Sequence, residues 1–468
     1  MMKIRSFFKD SLIYSFGYIV ARIIPFLLLP LYTHVFSPYE YGIISLVYTF
    51  IGFLSVILHF GFDAALMKYY SQAEQKQKII IYSNIYIPIF FSTLIICLIC
   101  LIFKNFISNY IFMTRNVIIS SYVAGIIFFD ILYSFPMLIY RINRSPYKYI
   151  SIILFNVIGT TSLNIYFLII LKMSYEGVLL SNFIISFFIF IFTIPTSIYH
   201  IDFSKLSKKL IKKICKFAFP FLPAGIFSMI IELSDRYFIE YFLDTSQVGI
   251  YSAGYKLGMF MLLVVMGFNM AWQPFFLQKF SSVSERNQLI SNISSYFYLL
   301  MILIWISLVF WIPSFMNLDF FGYTLFNGSY FESLKIVPVV SLSYFFHGLY
   351  HLQLPGLYNH NETKWVMYIR GLGAVINVVG NIILIPLFNL QGAAFSTLLS
   401  FISMSVLIYF INKKFDKIQY DRIVFILGLV FIFISYWFYL IDIKYIYKIF
   451  FTLGFVCFCY FAHKVLIK

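Results

Sequence analysis

The residues able to do chemistry in this sequence are a few ionisable side chains set inside long apolar stretches, where a charge costs roughly 2.5–3.5 kcal/mol on insertion scales. Arg22 is the sharpest of them. Counted from Ser11 at about 1.5 Å per helical residue it sits roughly 16 Å deep, too far from either end to snorkel easily, so it needs water or an anion beside it. Glu232, Asp235, Arg236 and Glu240 fall within an arc of about 140° at 100° per residue, which gives one helix a polar face. That face either lines a cavity or is stitched internally by Glu232 with Arg236 at i and i+4. Lys256 lies about 14 Å from the outer end of the next apolar stretch, and its long stem lets the amine reach an interior or the headgroups.

Arg370, about 10 Å from the end of its own stretch, and Lys335 are both within snorkelling reach of an interface. Asp130 is placed differently, near the middle of an apolar run, where a carboxylate must be protonated or partnered. It is a candidate for coupling to a proton or a cation. Asp63 lies closer to an interface. His347 and His351 stand one turn apart, the spacing of two metal ligands on a helix face, but no third ligand is evident and a hydrogen-bonding or cavity role fits better. The five cysteines, Cys97, Cys100, Cys215, Cys457 and Cys459, sit in or beside apolar runs without zinc-site spacing. The chain contains no Asp-x-Asp metal motif and no G-x-x-x-x-G-K-[ST] phosphate loop. Energy for any transport must therefore come from an ion gradient or a concentration difference, and no cofactor is expected.

The elements that hold these residues follow from composition. Of 468 residues, 62% are hydrophobic and 11% charged, with a mean hydropathy of +0.90, against about 45–50% apolar and about 25% charged in a soluble domain. The bilayer is the solvent for this chain. Apolar stretches long enough to span it, about 20 residues each, fall near 11–35, 41–66, 79–103, 116–140, 149–171, 177–200, 214–240, 247–276, 289–313, 333–358, 365–387, 390–411, 423–441 and 445–463. The expected fold is an all-α polytopic membrane protein of about fourteen transmembrane helices. Pro25, Pro30, Pro220, Pro223, Pro274 and Gly225 cluster in the first, seventh and eighth of these stretches, where kinks are expected.

The formal charge of +16 would suit nucleic acid, but its placement does not. Of 34 Lys and Arg residues, 24 lie at the N-terminus, the C-terminus and every second connection, six of them between Lys205 and Lys216, while the opposite connections hold five. By the positive-inside rule the rich side is cytoplasmic and both termini lie there. Two short repeats accompany this alternation. Y-G-I-I-S-L-V-Y from Tyr41 matches V-G-I-Y-S-A-G-Y from Val248 at an offset of 207, and G-V-L-L-S from Gly177 matches G-A-A-F-S from Gly392 at 215. An even number of spans separates the copies, so both point the same way. The expected organisation is two parallel six-helix lobes, 1–205 and 206–412, and an additional helix pair, 413–468.

Several segments then resemble a known family. They are P-L-Y-T-H-V-F-S-P-Y-E-Y-G-I from Pro30 to Ile43, S-D-R from Ser234 to Arg236, V-G-I-Y-S-A-G-Y-K from Val248 to Lys256, W-Q-P from Trp272 to Pro274, N-V-V-G-N-I-I-L-I-P from Asn377, and G-A-A-F-S-T ending at Thr397. Together they are similar to the oligosaccharide flippases of bacterial surface polysaccharide assembly, within the multidrug/oligosaccharidyl-lipid/polysaccharide exporter superfamily. The resemblance implies two lobes around a cavity and a multi-pass protein of the bacterial inner membrane that is not an enzyme. The implied activity is to move an undecaprenyl-pyrophosphate-linked oligosaccharide to the outer leaflet, for O-antigen or capsular polysaccharide, by rocking of one lobe against the other. Its partners would be that lipid-linked oligosaccharide, membrane lipids, and a polysaccharide polymerase with its chain-length regulator.

On this reading Arg22, Asp235, Arg236, Lys256 and Arg370 are the candidates for contacting cargo, with Arg22 and Lys256 clasping the pyrophosphate. Asp130 and Glu232 are the candidates for ion coupling. A multidrug exporter shares the expected fold, yet cationic drugs favour acidic cavities and the first helix here carries Arg22. A membrane polysaccharide polymerase usually needs a long external loop, and the longest outer connection, about 314–332, is short.

Overall fold

Apolar runs of this length fold as helices because lipid offers no partner to a bare amide or carbonyl. The computed structural model describes residues 24, 26–143, 145–276, 282–320, 323–360, 362, 364–414 and 421–466. The chain divides into two compact units, 1–240 with 244–249, and 241–243 with 250–468. Among the described residues ten helices are long and apolar enough to cross a membrane, or twelve if two bent pairs each count as one span. Regular structure other than helix is confined, among the described residues, to a two-residue antiparallel strand pair, Asp319–Phe320 with Tyr323–Thr324. The protein is a multi-pass, all-helical membrane protein.

The first unit holds α1 (Leu29–Val35), α2 (Pro38–His59), α3 (Phe62–Ser71), α4 (Gln75–Ile102), α5 (Ile118–Ile142), α6 (Pro146–Ile165), α7 (Glu176–Tyr199), α8 (Lys208–Ala218), α9 (Phe221–Leu233) and most of α10 (Asp235–Phe242). A capping box starts α2. Ser37 Oγ accepts the Glu40 amide at 3.3 Å and the Glu40 carboxylate accepts the Ser37 amide at 3.0 Å, with Pro38 in the first turn. The helix ends where Phe60 (φ 51°) and Gly61 (φ 76°) turn the chain left-handed into α3. A side chain at Gly61 would also strike the Ala218 carbonyl, its Cβ coming within 2.5 Å, so glycine is required for α8 to dock there.

The core of this unit is built from Ile43, Val47, Ile85, Ile127, Leu132 and Phe135, and Ile214 and Ala218 of α8 join it. The link between α7 and α8 is fixed by side chains of α4. Asn84 donates to the Lys205 carbonyl at 2.9 Å and accepts the Ser207 amide at 2.8 Å, while Ser83 Oγ accepts the Asp202 amide at 2.8 Å. The Ser204 hydroxyl, with its amide, holds the Asp202 carboxyl below the usual carboxylate range.

The start of α11 (Thr245–Gly258) crosses the start of α2 at van der Waals distance. A Cβ on Gly42 would lie 2.0 Å from the Thr245 carbonyl oxygen, and one on Gly249 would lie 1.9 Å from that of Pro38. The crossing is locally two-fold, for Pro38 and Gly42 correspond to Thr245 and Gly249 at the offset of 207 found in the repeat. This contact, with the packing of α9 on α2, places α9 and the start of α11 in the first unit. The division by internal contacts therefore falls at 240–250, later than the 205/206 boundary drawn from the repeat.

The second unit continues with α12 (Phe260–Phe276), α13 (Val283–Met316), α14 (Val337–Asn359), α15 (Lys364–Phe388), α16 (Leu390–Asn412), α17 (Arg422–Leu440) and α18 (Tyr445–Leu466). Small residues bring α14, α15 and α16 together, as membrane helices require in place of a hydrophobic drive. Ser396, Ser400 and Thr397 are wholly buried, and Gly380 lies against Ser396. Trp305 of α13 donates to the Pro338 carbonyl at 3.1 Å, and Tyr298 donates to the Phe425 carbonyl at 2.8 Å, which ties α17 to α13. Both α17 and α18 pack on α13.

Two helix pairs are sharply bent. α8 and α9 meet at 41° around Pro220, as the helix-breaking residues suggested, and α11 and α12 meet at 42°. This second break falls at Gly258–Phe260, where Gly258 packs on Val340, while Pro274 lies within α12.

Candidate functional site

Asp130 is the best-defined ionisable residue of the first unit. It projects from the middle of α5, and its carboxylate accepts the Ser186 hydroxyl at 2.5 Å. The Ser186 oxygen accepts Asn182 Nδ2 at 3.1 Å, and Asn182 Oδ1 accepts the Tyr48 hydroxyl at 3.2 Å. On the other side Tyr133, one turn along α5, lies within electrostatic reach of Asp130, and its hydroxyl accepts Asn156 Nδ2 at 3.4 Å. Four helices, α2, α5, α6 and α7, thus converge on one carboxylate through oxygen and amide groups. Such a set can stabilise a charged carboxylate, accept a proton, or offer oxygens to a small cation.

The second cluster lies where α9 passes into α10. Asp235 is wholly buried and Arg236 is 5% exposed. The helix is interrupted at Ser234, and Arg236 Nη1 donates to the main-chain carbonyl of Glu232 at 2.5 Å. This bond joins residues at i and i+4 through the main-chain oxygen. Arg236 also lies within electrostatic reach of Tyr41, and Tyr237 donates to the Leu46 carbonyl at 3.4 Å. Nearby, Asn164 of α6 donates to the Tyr32 hydroxyl at 2.8 Å.

In the second unit Lys256 sits on α11 just before the break, beside Tyr255, whose hydroxyl pairs with that of Tyr344 at 2.8 Å. Arg370 of α15 lies within electrostatic reach of His347, Tyr350 and His351 on α14. The two imidazoles are 4.6 Å apart between centroids, and among the described residues neither Nδ1 has a hydrogen-bond partner. Among the described residues no three His, Cys, Asp or Glu side chains form a group able to hold a metal ion. Arg22 lies outside the described residues.

The structure thus gathers Glu232, Asp235 and Arg236 in one place and Asp130 in another within the first unit, and sets Lys256 and Arg370 in the second. A search confined to ionisable side chains passes over Tyr48, Tyr133, Asn156, Asn182 and Ser186. One signal was available: Asn182 and Ser186 stand at i and i+4 in a mostly apolar helix, the spacing that puts two polar groups on one face.

Comparison with known proteins places these observations. The model of the family described as "Polysaccharide biosynthesis protein" matches residues 7–280, more than half of the chain. No curated protein matches. Among solved structures, the lipid II flippase MurJ in an inward closed conformation is similar at 18% identity over 98% of this chain and 100% of that one, with a TM-score of 0.78. A variant of the MATE transporter VcmN of Vibrio cholerae is similar at 11% identity over 88% and 96%, with a TM-score of 0.61. An inward-facing multidrug resistance MATE transporter of the MOP superfamily is similar at 10% identity over 84% and 94%, also at 0.61. The fold is that of the lipid II flippase and MATE transporters, and the chain belongs to the polysaccharide biosynthesis protein family.

Proposed function

We propose that this protein flips an undecaprenyl-pyrophosphate-linked oligosaccharide across the bacterial inner membrane, with both termini cytoplasmic, to supply O-antigen or capsular polysaccharide. One observation carries the reading: the full-length likeness to a lipid II flippase, in a chain whose family is defined by polysaccharide biosynthesis. The charge pattern agrees with such cargo. A pyrophosphate headgroup is a concentrated anion, and attraction to a cation is strong where water is scarce. The first unit offers it Arg236, and Arg22 if that residue faces the cargo path; the second offers Lys256 and Arg370. Tyr, Asn and Ser side chains can meet the sugar hydroxyls, and Asp130 with its hydroxyl and amide partners is the place for a coupling proton or cation, with Glu232 as a second candidate. A polymerase and a chain-length regulator would receive the product.

The test is Arg22→Ala and Lys256→Ala, each checked for normal membrane insertion. Intracellular lipid-linked repeat units should accumulate and surface glycan should fall. Normal surface glycan from both variants refutes the cationic route. A second reading, multidrug export, draws on the likeness to MATE transporters. It requires that deleting the gene raise susceptibility to cationic drugs while leaving surface glycan intact, the reverse of what flipping requires.

A further inference from the structure

The lysine-rich connection contains a feature that topology alone does not explain. Amphipathic α8 buries Ile214 and Ala218 against the core, while Lys209, Lys212, Lys213 and Lys216 form an exposed stripe at helical spacing. It packs on α3. There Lys68 lies 4.1 Å from the Phe217 ring centre and 5.6 Å from that of Tyr69, and Lys213 lies 5.5 Å from the same Tyr69 ring. Two ammonium groups from different helices therefore lie within 5.6 Å of one ring centre, so at most about 11 Å separates them, and at a Debye length of about 8–10 Å their repulsion is not fully screened. The two helices together carry six lysines and a single carboxylate, Asp63. Neither Lys68 nor Lys213 forms an ion pair among the described residues. Cation–π attraction offsets part of the repulsion; an anion placed there offsets more.

The surroundings select the kind of anion. Tyr69 and Phe217 meet edge to face at 5.6 Å, and Phe217 continues to Phe221 at 5.6 Å. Phe221 is 48% and Phe219 59% exposed, at the point where α8 bends into a membrane span. A phosphate on the lysines thus adjoins an apolar aromatic surface at the start of α9, the combination of polar and apolar faces found in interfacial helices. A free phosphate would gain nothing from that surface. We propose that α3 and α8 form a seat for the headgroup of an anionic glycerophospholipid, its phosphate between Lys68 and Lys213 and its acyl chains along Phe219 and Phe221. The seat lies within the first unit and stands whether or not the cargo proposed above is correct.

The experiment is native mass spectrometry of the full chain released from nanodiscs containing equal phosphatidylglycerol and phosphatidylcholine. Wild type should retain phosphatidylglycerol in preference. Lys68→Gln with Lys213→Gln should lower its affinity about tenfold or more, the combined effect of two surface cations. Lys68→Arg with Lys213→Arg should restore it, and Lys104→Gln with Lys172→Gln should leave it unchanged. Lys213→Gln alone, on an exposed helix face, should show a smaller loss and serves if the double variant does not fold. Equal retention by wild type and the glutamine variants overturns the proposal. Displacement of the lipid by millimolar inorganic phosphate overturns it in favour of a free-anion site, and displacement by undecaprenyl phosphate overturns it in favour of a cargo dock.

Discussion

Asp130 allows the sharpest test of how the first unit works. Its carboxylate takes the Ser186 hydroxyl at 2.5 Å, in the short range of charge-assisted hydrogen bonds, which contribute roughly 1.5–3 kcal/mol each. Asp130→Asn preserves shape and removes the charge; Ser186→Ala removes the donor and leaves the charge. If the carboxylate takes part in the transport cycle, losing 1.5–3 kcal/mol at that step slows it by about 10- to 150-fold, since each 1.4 kcal/mol is tenfold. The assay is the ratio of intracellular lipid-linked repeat units to surface glycan, with the melting temperature of the purified variants measured in parallel. Asp130→Asn should cut flux by at least tenfold with little change in melting temperature, and Ser186→Ala should cut it less. The double variant should be no worse than Asp130→Asn, because both substitutions remove the same interaction. Wild-type flux from Asp130→Asn, or a loss of flux that merely follows a loss of folded protein, refutes a coupling role and leaves the network as internal stitching.

The crossing of α2 and α11 makes a paired prediction: Gly42→Ala and Gly249→Ala should lower stability by similar amounts, about 1–3 kcal/mol each, the usual cost of overpacking, measured by thermal unfolding in detergent. A large effect from one and none from the other would contradict the local two-fold symmetry seen in the carbonyl contacts at Thr245 and Pro38. Asn84→Leu strips the Lys205 carbonyl and Ser207 amide of their partner, at about 1–3 kcal/mol for partners left unsatisfied. The segment around Lys205 should then be cleaved faster by trypsin, while cleavage beside Lys104 stays unchanged. Tyr298→Phe removes the bond to the Phe425 carbonyl and should cost about 0.5–1.5 kcal/mol. The loss should appear as faster hydrogen exchange confined to α17.

What sequence discloses about this chain follows the physics of its solvent. In lipid the backbone has almost no choice but helix, so an apolar run announces an element almost by its length, as those giving α2, α4, α5, α7, α15 and α16 did. The helix of Val337–Asn359 is 23 residues long yet falls outside the ten that pass on apolarity. It is dense in Ser, His, Tyr and Gln that neighbouring helices cover, and its polar side chains reach the protein rather than lipid. Fourteen spans are thus the sum that hydropathy suggests, and ten to twelve the number that length and apolarity support among the described residues.

Charged residues were equally legible, since each is an exception that must be compensated, but the compensating group was not. Helical spacing set Glu232 beside Arg236, and at the break at Ser234 the guanidinium takes the Glu232 main-chain carbonyl, an acceptor that side-chain spacing does not name. Asp130 takes the Ser186 hydroxyl of α7, and behind it stand uncharged groups of α2, α6 and its own next turn, so no periodicity along α5 could name them. The two glycines of the repeat differ from the other matched letters. Ile and Tyr recur because lipid and core accept them widely, but Gly42 and Gly249 recur at an offset of 207 because each must admit the carbonyl of the other helix. A sequence match between two glycines that touch is therefore a statement about geometry. If the chain arose by duplication, this crossing is the place where each copy had to tolerate the other, and substitutions there should be rescued only by a compensating change on the partner helix.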